Sequence, residues 1–399
     1  MTPAAIVLAI ALSICLYAFV VYPAILKVLS LSRRPRAPAV PSEPWPVISI
    51  EIPVHNEAAV IADTLERILA LDYPTDRRQV LVVSDASDDG TDEIVLQFAA
   101  RGVDLLRLPE RRGKTAAENA ARSHLIGEII VNTDASVRID LAALKHLVAA
   151  FDDPSVGVAS GRDISVSNLD AGENLGEHAY VGYEMWVREL ETSLSGIVGA
   201  SGCLYAIRRE LHMPEMPEGL SRDFGATLVA REQGFRAVSV PRAVCYVPRS
   251  TSLRREYHRK VRTMARGLRT LWHKRALLNP ARHGRFAWML WSHKLCRWLA
   301  PWSIILAAAA LAALAPMHWW AGAVLVLGGV AVFVTAIGWM WPEGRSLPRP
   351  IALPSYAVGS NIAGLHAWFR ALGNQGTALW EPTRRGTTSR TAGPASRPA

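Results

Sequence analysis

Cysteine is scarce in this chain: four in 399 residues, at Cys15, Cys203, Cys245 and Cys296, far apart and without a CxxC or Cys–His ligand spacing. That composition excludes a disulfide framework and a structural zinc site. A basic recognition helix and an aromatic RNA-binding signature are also missing, which argues against nucleic acid as a partner. No positive charge precedes the first apolar run and no small-residue cleavage site stands out, so the run does not read as a signal peptide. Acidic residues number 35 against 44 Lys and Arg, for a net charge of +9. The surplus gathers at Arg33–Arg36, at Arg249–Arg285 and in the tail from Arg384. Such clusters beside apolar helices meet membrane lipids or phosphate.

Long apolar runs are abundant. Ala4–Leu26 is apolar except for Ser13, Tyr17 and Tyr22, enough to cross ~30 Å of hydrocarbon as a helix. Lys27, Arg33, Arg34 and Arg36 follow it, which places the N-terminus outside and the residues after Lys27 in the cytosol of a bacterial inner or plasma membrane. A second apolar block, Leu299–Trp341, is broken by Pro316-Met317-His318 before Trp319-Trp320 and predicts two helices joined by a tight turn. Ile351–Leu372 contains Pro354, Asn361, His366 and Arg370, costly groups in lipid. It reads as a re-entrant or in-plane helix in preference to a fourth span.

Between these runs the pattern changes. After the proline-rich Pro38–Pro46, strands are predicted at Val47–Ile52, Gln79–Val83, Leu105–Leu108 and Glu128–Asn132, with helices at Ala58–Leu71, Thr91–Ala100 and Thr115–Leu125 between them. This βαβ rhythm predicts an α/β fold, an open parallel sheet with helices on both faces. Ligands of such sheets sit where loops leave the carboxyl ends of strands. Those loops are polar: Pro53-Val54-His55-Asn56-Glu57, Ser84-Asp85-Ala86-Ser87-Asp88-Asp89-Gly90-Thr91 and Thr133-Asp134-Ala135-Ser136. Asp, Ser, Gly and Thr also serve turns and helix caps. Aspartate at successive strand ends suits a nucleotide and its metal better than plain turns.

On these residues the chain resembles the membrane-bound family 2 glycosyltransferases with a GT-A fold, the class of cellulose, chitin and hyaluronan synthases and polyprenyl-phosphate sugar transferases. The likeness covers roughly Val47–Leu271, with flanking helices. It implies that Pro53 and Glu57 belong to the first nucleotide-binding loop and that Asp85 reads a base edge. It also implies that Lys114, in Arg112-Gly113-Lys114-Thr115, lies near the nucleotide, and that Asp134 binds Mg²⁺ or Mn²⁺. Gly202, in Ser201-Gly202-Cys203-Leu204-Tyr205-Ala206, falls in an acceptor-side glycine loop, and Asp223 matches the aspartate of the Glu-Asp motif, the base of an inverting transfer. The implied reaction moves a sugar from a nucleoside diphosphate sugar, UDP-linked for preference, to a lipid-linked or glycan acceptor in exopolysaccharide or glycolipid synthesis. The physics is compatible: a carboxylate-held divalent ion neutralises the departing diphosphate and takes mainly oxygen ligands.

The departures are specific. Asp134-Ala135-Ser136 replaces Asp-x-Asp, leaving Ser136 to hold a metal-bound water or coordinate weakly. Arg222 replaces the glutamate before Asp223, and by residue type alone Asp223 reads equally as a helix cap in a loop ahead of helix Ala226–Glu232. The Gln-x-x-Arg-Trp segment of processive members has its nearest counterpart in Arg259-Lys260-Val261-Arg262-Thr263, without glutamine or tryptophan. Arg259, Arg262 and Arg266 share one helical face, turned to a diphosphate or to lipid headgroups. Single transfer is therefore preferred to a processive synthase, and a non-catalytic membrane scaffold of the same fold is the reading from another class. The expected organisation is a transmembrane helix (1–28), a linker (29–46), the GT-A domain (47–250), interfacial helices (251–298), two transmembrane helices (299–341), a re-entrant or interfacial segment (342–380) and a basic tail (381–399).

Overall fold

The computed structural model describes residues 2–32, 43–166, 175–248, 252–342 and 347–373. The expected linker lies mostly, and the basic tail wholly, outside these residues. The first apolar run is helical throughout, as α1 (Pro3–Leu16), a π-helical turn (Tyr17–Val21) and α2 (Tyr22–Leu31).

The soluble part then alternates as the hydrophobic pattern dictates: β1 (Ile48–Val54), α3 (Ile61–Leu69), β2 (Arg78–Ser84), α4 (Thr91–Leu96), β3 (Val103–Arg107), α5 (Lys114–Ala121) and β4 (Ile129–Thr133). It continues through β5 (Arg138–Ile139), α6 (Ala143–Ala149), β6 (Val156–Val166), α7 (Leu175–Leu194), β7 (Leu204–Arg208), α8 (Arg209–His212), α9 (Arg222–Glu232) and β8 (Arg236–Pro248). Successive side chains on a strand point to opposite faces, and the strands use both. Ile48, Ile50, Ile52, Val80, Val82 and Val131 pack into one core with α3 and α6 residues. Leu81, Val83 and Ile130 pack into a second, with Ala117 and Ala121 of α5 and Ala226 of α9.

The eight strands lie in the order β3-β2-β1-β4-β7-β6-β8-β5. The half from β3 to β4 is parallel, as expected. The sheet as a whole is mixed, however, because β7 runs antiparallel to β4 and β6, and β5 antiparallel to β8. The reversal aligns Leu204 with Thr133. It thereby brings the loop ahead of β7 to the carboxyl end of β4, where the Asp134 loop begins. Helix α3 is shorter than Ala58–Leu71, since the main chain of Glu57 and Ala58 bonds to the loop after β2.

Beyond the sheet, α10 (Leu253–His273) leads to α11 (Pro280–Leu290), a second π-helical turn (Trp291–Leu295), α12 (Cys296–Leu314), α13 (Trp319–Met340) and α14 (Arg349–Leu372). Among the described residues, three helical stretches are long and apolar enough to cross a membrane: Pro3–Leu31, Pro280–Leu314 and Trp319–Met340. The second apolar block is thus two helices with a turn between them, and its first helix starts before Leu299. Helix α14 packs along α10 and α13, and Trp368 Nε1 donates to the Trp298 carbonyl of α12 (2.8 Å).

One cation closes the end of α3. The Arg78 guanidinium, on β2, donates to the carbonyls of Ile68 (2.9 Å) and Leu69 (3.1 Å), groups that a helix end leaves without intrahelical partners. Arg78→Met should lower stability by about 1–3 kcal/mol, a loss that thermal unfolding followed by tryptophan fluorescence measures.

Candidate active site

The loops after β1 and β2 are stitched to each other. Asn56 Nδ2 donates to Asp88 Oδ1 (2.7 Å), the Asp88 N–H donates to Asn56 Oδ1 (2.9 Å), and the Ala58 N–H donates to Asp89 Oδ2 (3.0 Å). The buried Glu57 offers its N–H to Thr91 Oγ1 (2.9 Å). Pro53 pairs in register with Val83 inside the sheet.

Asp85 is 1% exposed. Its Oδ1 accepts the Arg112 N–H and its Oδ2 the Gly113 N–H, each at 2.7 Å. Gly113 has φ +97°, a conformation that a side chain disfavours, and it bends the chain into α5. Asp85 thus fixes the start of that helix, whose first residue is Lys114.

Lys114 Nζ lies 2.5 Å from Asp134 Oδ1, with the two side chains 18% and 22% exposed. Burial works against the lysine's charge, but Asp134 and Glu118 outweigh it and raise its pKa above the ordinary lysine value. The loop before β7 closes on the same place. Thr133 Oγ1 donates to the Cys203 carbonyl (2.9 Å), and Ser201 Oγ donates to the Asp163 carboxylate (2.6 Å), a residue of β6 that sequence reading passed over. At Gly202 a Cβ would stand 2.6 Å from Asp223 Oδ2, so any larger residue would push that carboxylate from its place.

Asp223 is not in a loop ahead of the helix, and it is not the cap. Helix α9 begins at Arg222 with Ser221 as its N-cap residue, and Asp223 sits in the first turn, where its Oδ1 accepts the Phe224 N–H (2.8 Å) and the Ser221 hydroxyl. The helix starts one turn earlier than Ala226, with Arg222, Phe224 and Gly225 already buried in its first turn. Of the basic face on α10, Arg259 is engaged by Glu256 of its own helix (2.7 Å) and Arg262 is partly buried. Arg266 is the member that reaches the site, donating to Thr115 Oγ1 (2.5 Å) and the Leu220 carbonyl. Burial lowers its pKa, while Asp223 and Glu118 act in the opposite direction.

Behind Lys114 lies a buried charged layer. Glu51 and Glu118 face Arg222 and His212, with Arg222 Nε 3.8 Å from Glu118 and His212 Nε2 3.2 Å from Glu51. A cavity of about 140 Å³, lined by Tyr205, His212 and Arg222 among others, adjoins it. This layer accounts for the arginine in place of the Glu-Asp motif's glutamate. A third carboxylate here would be a buried charge without a counter-ion, whereas arginine supplies one. Burial pushes Glu51 up to about 8, against the pull of Arg222 and Lys114, and Glu118 up to about 7. Burial, with Arg222 next, presses His212 down to about 3.

Among the described residues no three His, Cys, Asp or Glu side chains form a metal cage. Asp134 offers one partly exposed carboxylate, with partly exposed Ser136 two residues on. That donor set fits an ion that draws its remaining ligands from water and phosphate oxygens, the habit of Mg²⁺ and Mn²⁺.

The two raised acids make a pH prediction. Native Glu51 and Glu118 keep protons that the unfolded chain has released, so their contribution to stability falls as pH rises from the ordinary carboxylate range to about 8. His212 acts oppositely, but only between about 3 and its ordinary 6.5. Between pH 6.5 and 8.5 the acids alone remain, and the melting temperature should drop less in Glu51→Gln than in the wild type. Parallel profiles for the two proteins would remove Glu51 from this role.

Comparison with known proteins agrees with this geometry. The sequence model described as Glycosyl transferase family 2 matches residues 49–213. A β-monoglucosyldiacylglycerol synthase of Trichormus variabilis is 29% identical over 170 residues, 41% of this chain and 36% of that protein. An N-acetylglucosaminyltransferase of a Rhizobium species is 26% identical over 223 residues, 51% and 48% of the two chains. The matches therefore span a third to a half of these relatives' own lengths. The solved structure of a mannosyltransferase from Pyrobaculum calidifontis, in complex with GDP-Man and Mn²⁺, superposes with a TM-score of 0.72 at 25% identity, covering 92% of this chain and 99% of that one. Residues 49–213 thus match the glycosyl transferase family 2 model, and the chain has the fold of the Pyrobaculum mannosyltransferase, with helices long and apolar enough to span a membrane beside it.

Proposed function

We propose that this protein is an inverting, metal-dependent glycosyltransferase that moves one sugar from a nucleoside diphosphate donor to a lipid-linked or glycan acceptor at the cytosolic face of a membrane. The observation that carries the reading is the convergence of Lys114, Asp134, Gly202 and Asp223 at the carboxyl end of β4, with Arg266 of α10 reaching the same place.

Each residue has a task that its surroundings permit. Asp134 would hold Mg²⁺ or Mn²⁺, which when bound neutralises charge on the diphosphate as the sugar leaves. Lys114, released in part from Asp134, places a second cation beside the same oxygens. Asp85 keeps Lys114 at the helix start through its two backbone bonds. Its oxygens retain lone pairs, and one of these would accept from a base N–H. Pro53 and Glu57 shape the wall beside the nucleotide. Asp223, with one oxygen anchored by the Phe224 N–H and the other beside Gly202, takes the proton of the acceptor hydroxyl as it attacks the anomeric carbon. Attack opposite the leaving group inverts that carbon. Ser136 would hold a metal-bound water, and Arg259 and Arg262 would meet phosphate at the membrane face.

The test is a donor screen with purified protein in detergent, measuring release of nucleoside diphosphate. The panel includes UDP-sugars, favoured by the sequence, and GDP-mannose, the ligand in the Pyrobaculum structure. Release should require Mg²⁺ or Mn²⁺ and stop with chelator. Asp223→Asn should lose ~10²–10⁴-fold in turnover while still binding nucleotide, and Asp134→Asn should lose activity at every metal concentration. Ser136→Asp should reach half-maximal rate at a lower metal concentration than the wild type. Full activity in Asp223→Asn would remove that residue as the base.

A further inference from the structure

The two π-helical turns, each inside a candidate membrane span, lie against each other. Tyr17 Oη is 2.7 Å from Ser292 Oγ, and Trp288 Nε1 donates to Tyr17 Oη (2.9 Å). A π turn pushes an extra residue out of a helix and recurs at functional sites. Here the second turn presents His293 and Lys294 to helix α7 of the soluble domain. His293 is fully engaged, with Nδ1 2.6 Å from Glu191 and Nε2 2.9 Å from Glu184.

Lys294 goes further. Its Nζ is 3.8 Å from Glu184, it lies over the Phe224 ring, and it presses on Gly199 so closely that a Cβ there would stand 3.1 Å from Nζ. Phe224 follows Asp223, and Gly199 opens the loop that carries Gly202. The helical stretch that holds the π turn therefore delivers an ammonium group, 18% exposed, to the loop ahead of β7.

The charges around it do not balance. Glu184 is approached by Arg297 (2.8 Å) and Arg188 (3.5 Å) as well as by Lys294. Among the described residues of the cluster, three basic side chains, Arg188, Lys294 and Arg297, face two carboxylates, Glu184 and Glu191, so base outnumbers acid before His293 is counted. Arg188 is 8% exposed, and its Nε and Nη1 have no hydrogen-bond partner. A buried surplus cation is costly until an anion meets it.

We propose that Lys294 and Arg188 form a subsite for the phosphate or diphosphate that joins the acceptor to its lipid, so that the acceptor is an anionic lipid-linked molecule and not a neutral diacylglycerol. This rests on the transfer reaction proposed above. The subsite holds the phosphate at the membrane side of the Gly199–Gly202 loop, which leaves the acceptor hydroxyl to Asp223.

The experiment uses the full chain in lipid nanodiscs of phosphatidylcholine, with no donor present, and reads the melting temperature on adding a polyprenyl phosphate, phosphatidylglycerol or diacylglycerol. The polyprenyl phosphate should raise the melting temperature most, and its apparent affinity should fall at least ~10-fold in Lys294→Gln and be restored in Lys294→Arg. Gly199→Ala, whose added methyl displaces the flexible end of Lys294, should weaken the same binding without lowering the melting temperature of the free protein. Equal stabilisation by phosphatidylglycerol would overturn the proposal in favour of a general headgroup contact. An unchanged response in Lys294→Gln, or a response to diacylglycerol alone, would also overturn it. Metal-dependent release of nucleoside diphosphate from the donor without acceptor is measured on the same variants. If lipid binding fails while this release persists, only the subsite is lost; if release is absent throughout, the transferase reading itself fails.

Discussion

The ion pair between Lys114 and Asp134 is the contact on which the rest of the site depends. It joins the start of α5 to the loop that follows β4. A lysine so little exposed is tolerable only with a counter-charge, and the surroundings are arranged to keep that charge in place. Asp85 clamps the turn that precedes Lys114, and Gly113 supplies the backbone conformation that the turn requires. On the other side, Thr133 holds the Cys203 carbonyl, and Gly202 gives Asp223 room. A cation and two carboxylates thus share one end of the sheet.

Behind this surface the protein balances charge rather than excluding it. Glu51 of β1, Glu118 of α5, His212 of α8 and Arg222 of α9 meet in one buried layer, so that a shift of α5 or α9 would part Arg222 from Glu118. A similar logic holds the domain to its apolar helices. Glu191 receives the Tyr22 hydroxyl (2.6 Å) from the first span and His293 from the second, while Phe224 meets Trp298 edge-on. The junction is a polar seam inside an apolar shell. It makes these apolar helices part of the site's framework.

Much of this was legible in the sequence because burial leaves a periodic trace. The strands β1 to β4 and the helices between them follow from runs such as Ile48, Ile50 and Ile52, and the break at Pro316-Met317-His318 separates α12 from α13 as expected. Polar loops at strand ends marked Asp85, Asp134 and their neighbours. What the pattern could not carry was direction and partnership. Strand β7 has the same alternation whether it runs with β4 or against it, so the mixed sheet was not visible. Asp223 and Asn56 look alike as turn formers until their partners are known. Arg259 and Arg266 share one helical face, yet a neighbouring Glu256 engages the first while the second extends to Thr115.

The sequence by itself determined the division into apolar helices and an α/β domain, and the residue types available at each strand end, since both are local consequences of hydrophobic period and turn chemistry. Tertiary structure alone decided which of those residues meet. The antiparallel entry of β7 brings Gly202 to Asp223, the Gly113 turn aims Lys114 at Asp134, and the π turn at Trp291–Leu295 carries Lys294 to the loop ahead of β7. These are contacts between residues tens to hundreds of positions apart, and their geometry is fixed by packing and charge compensation across the whole chain, which no single segment encodes.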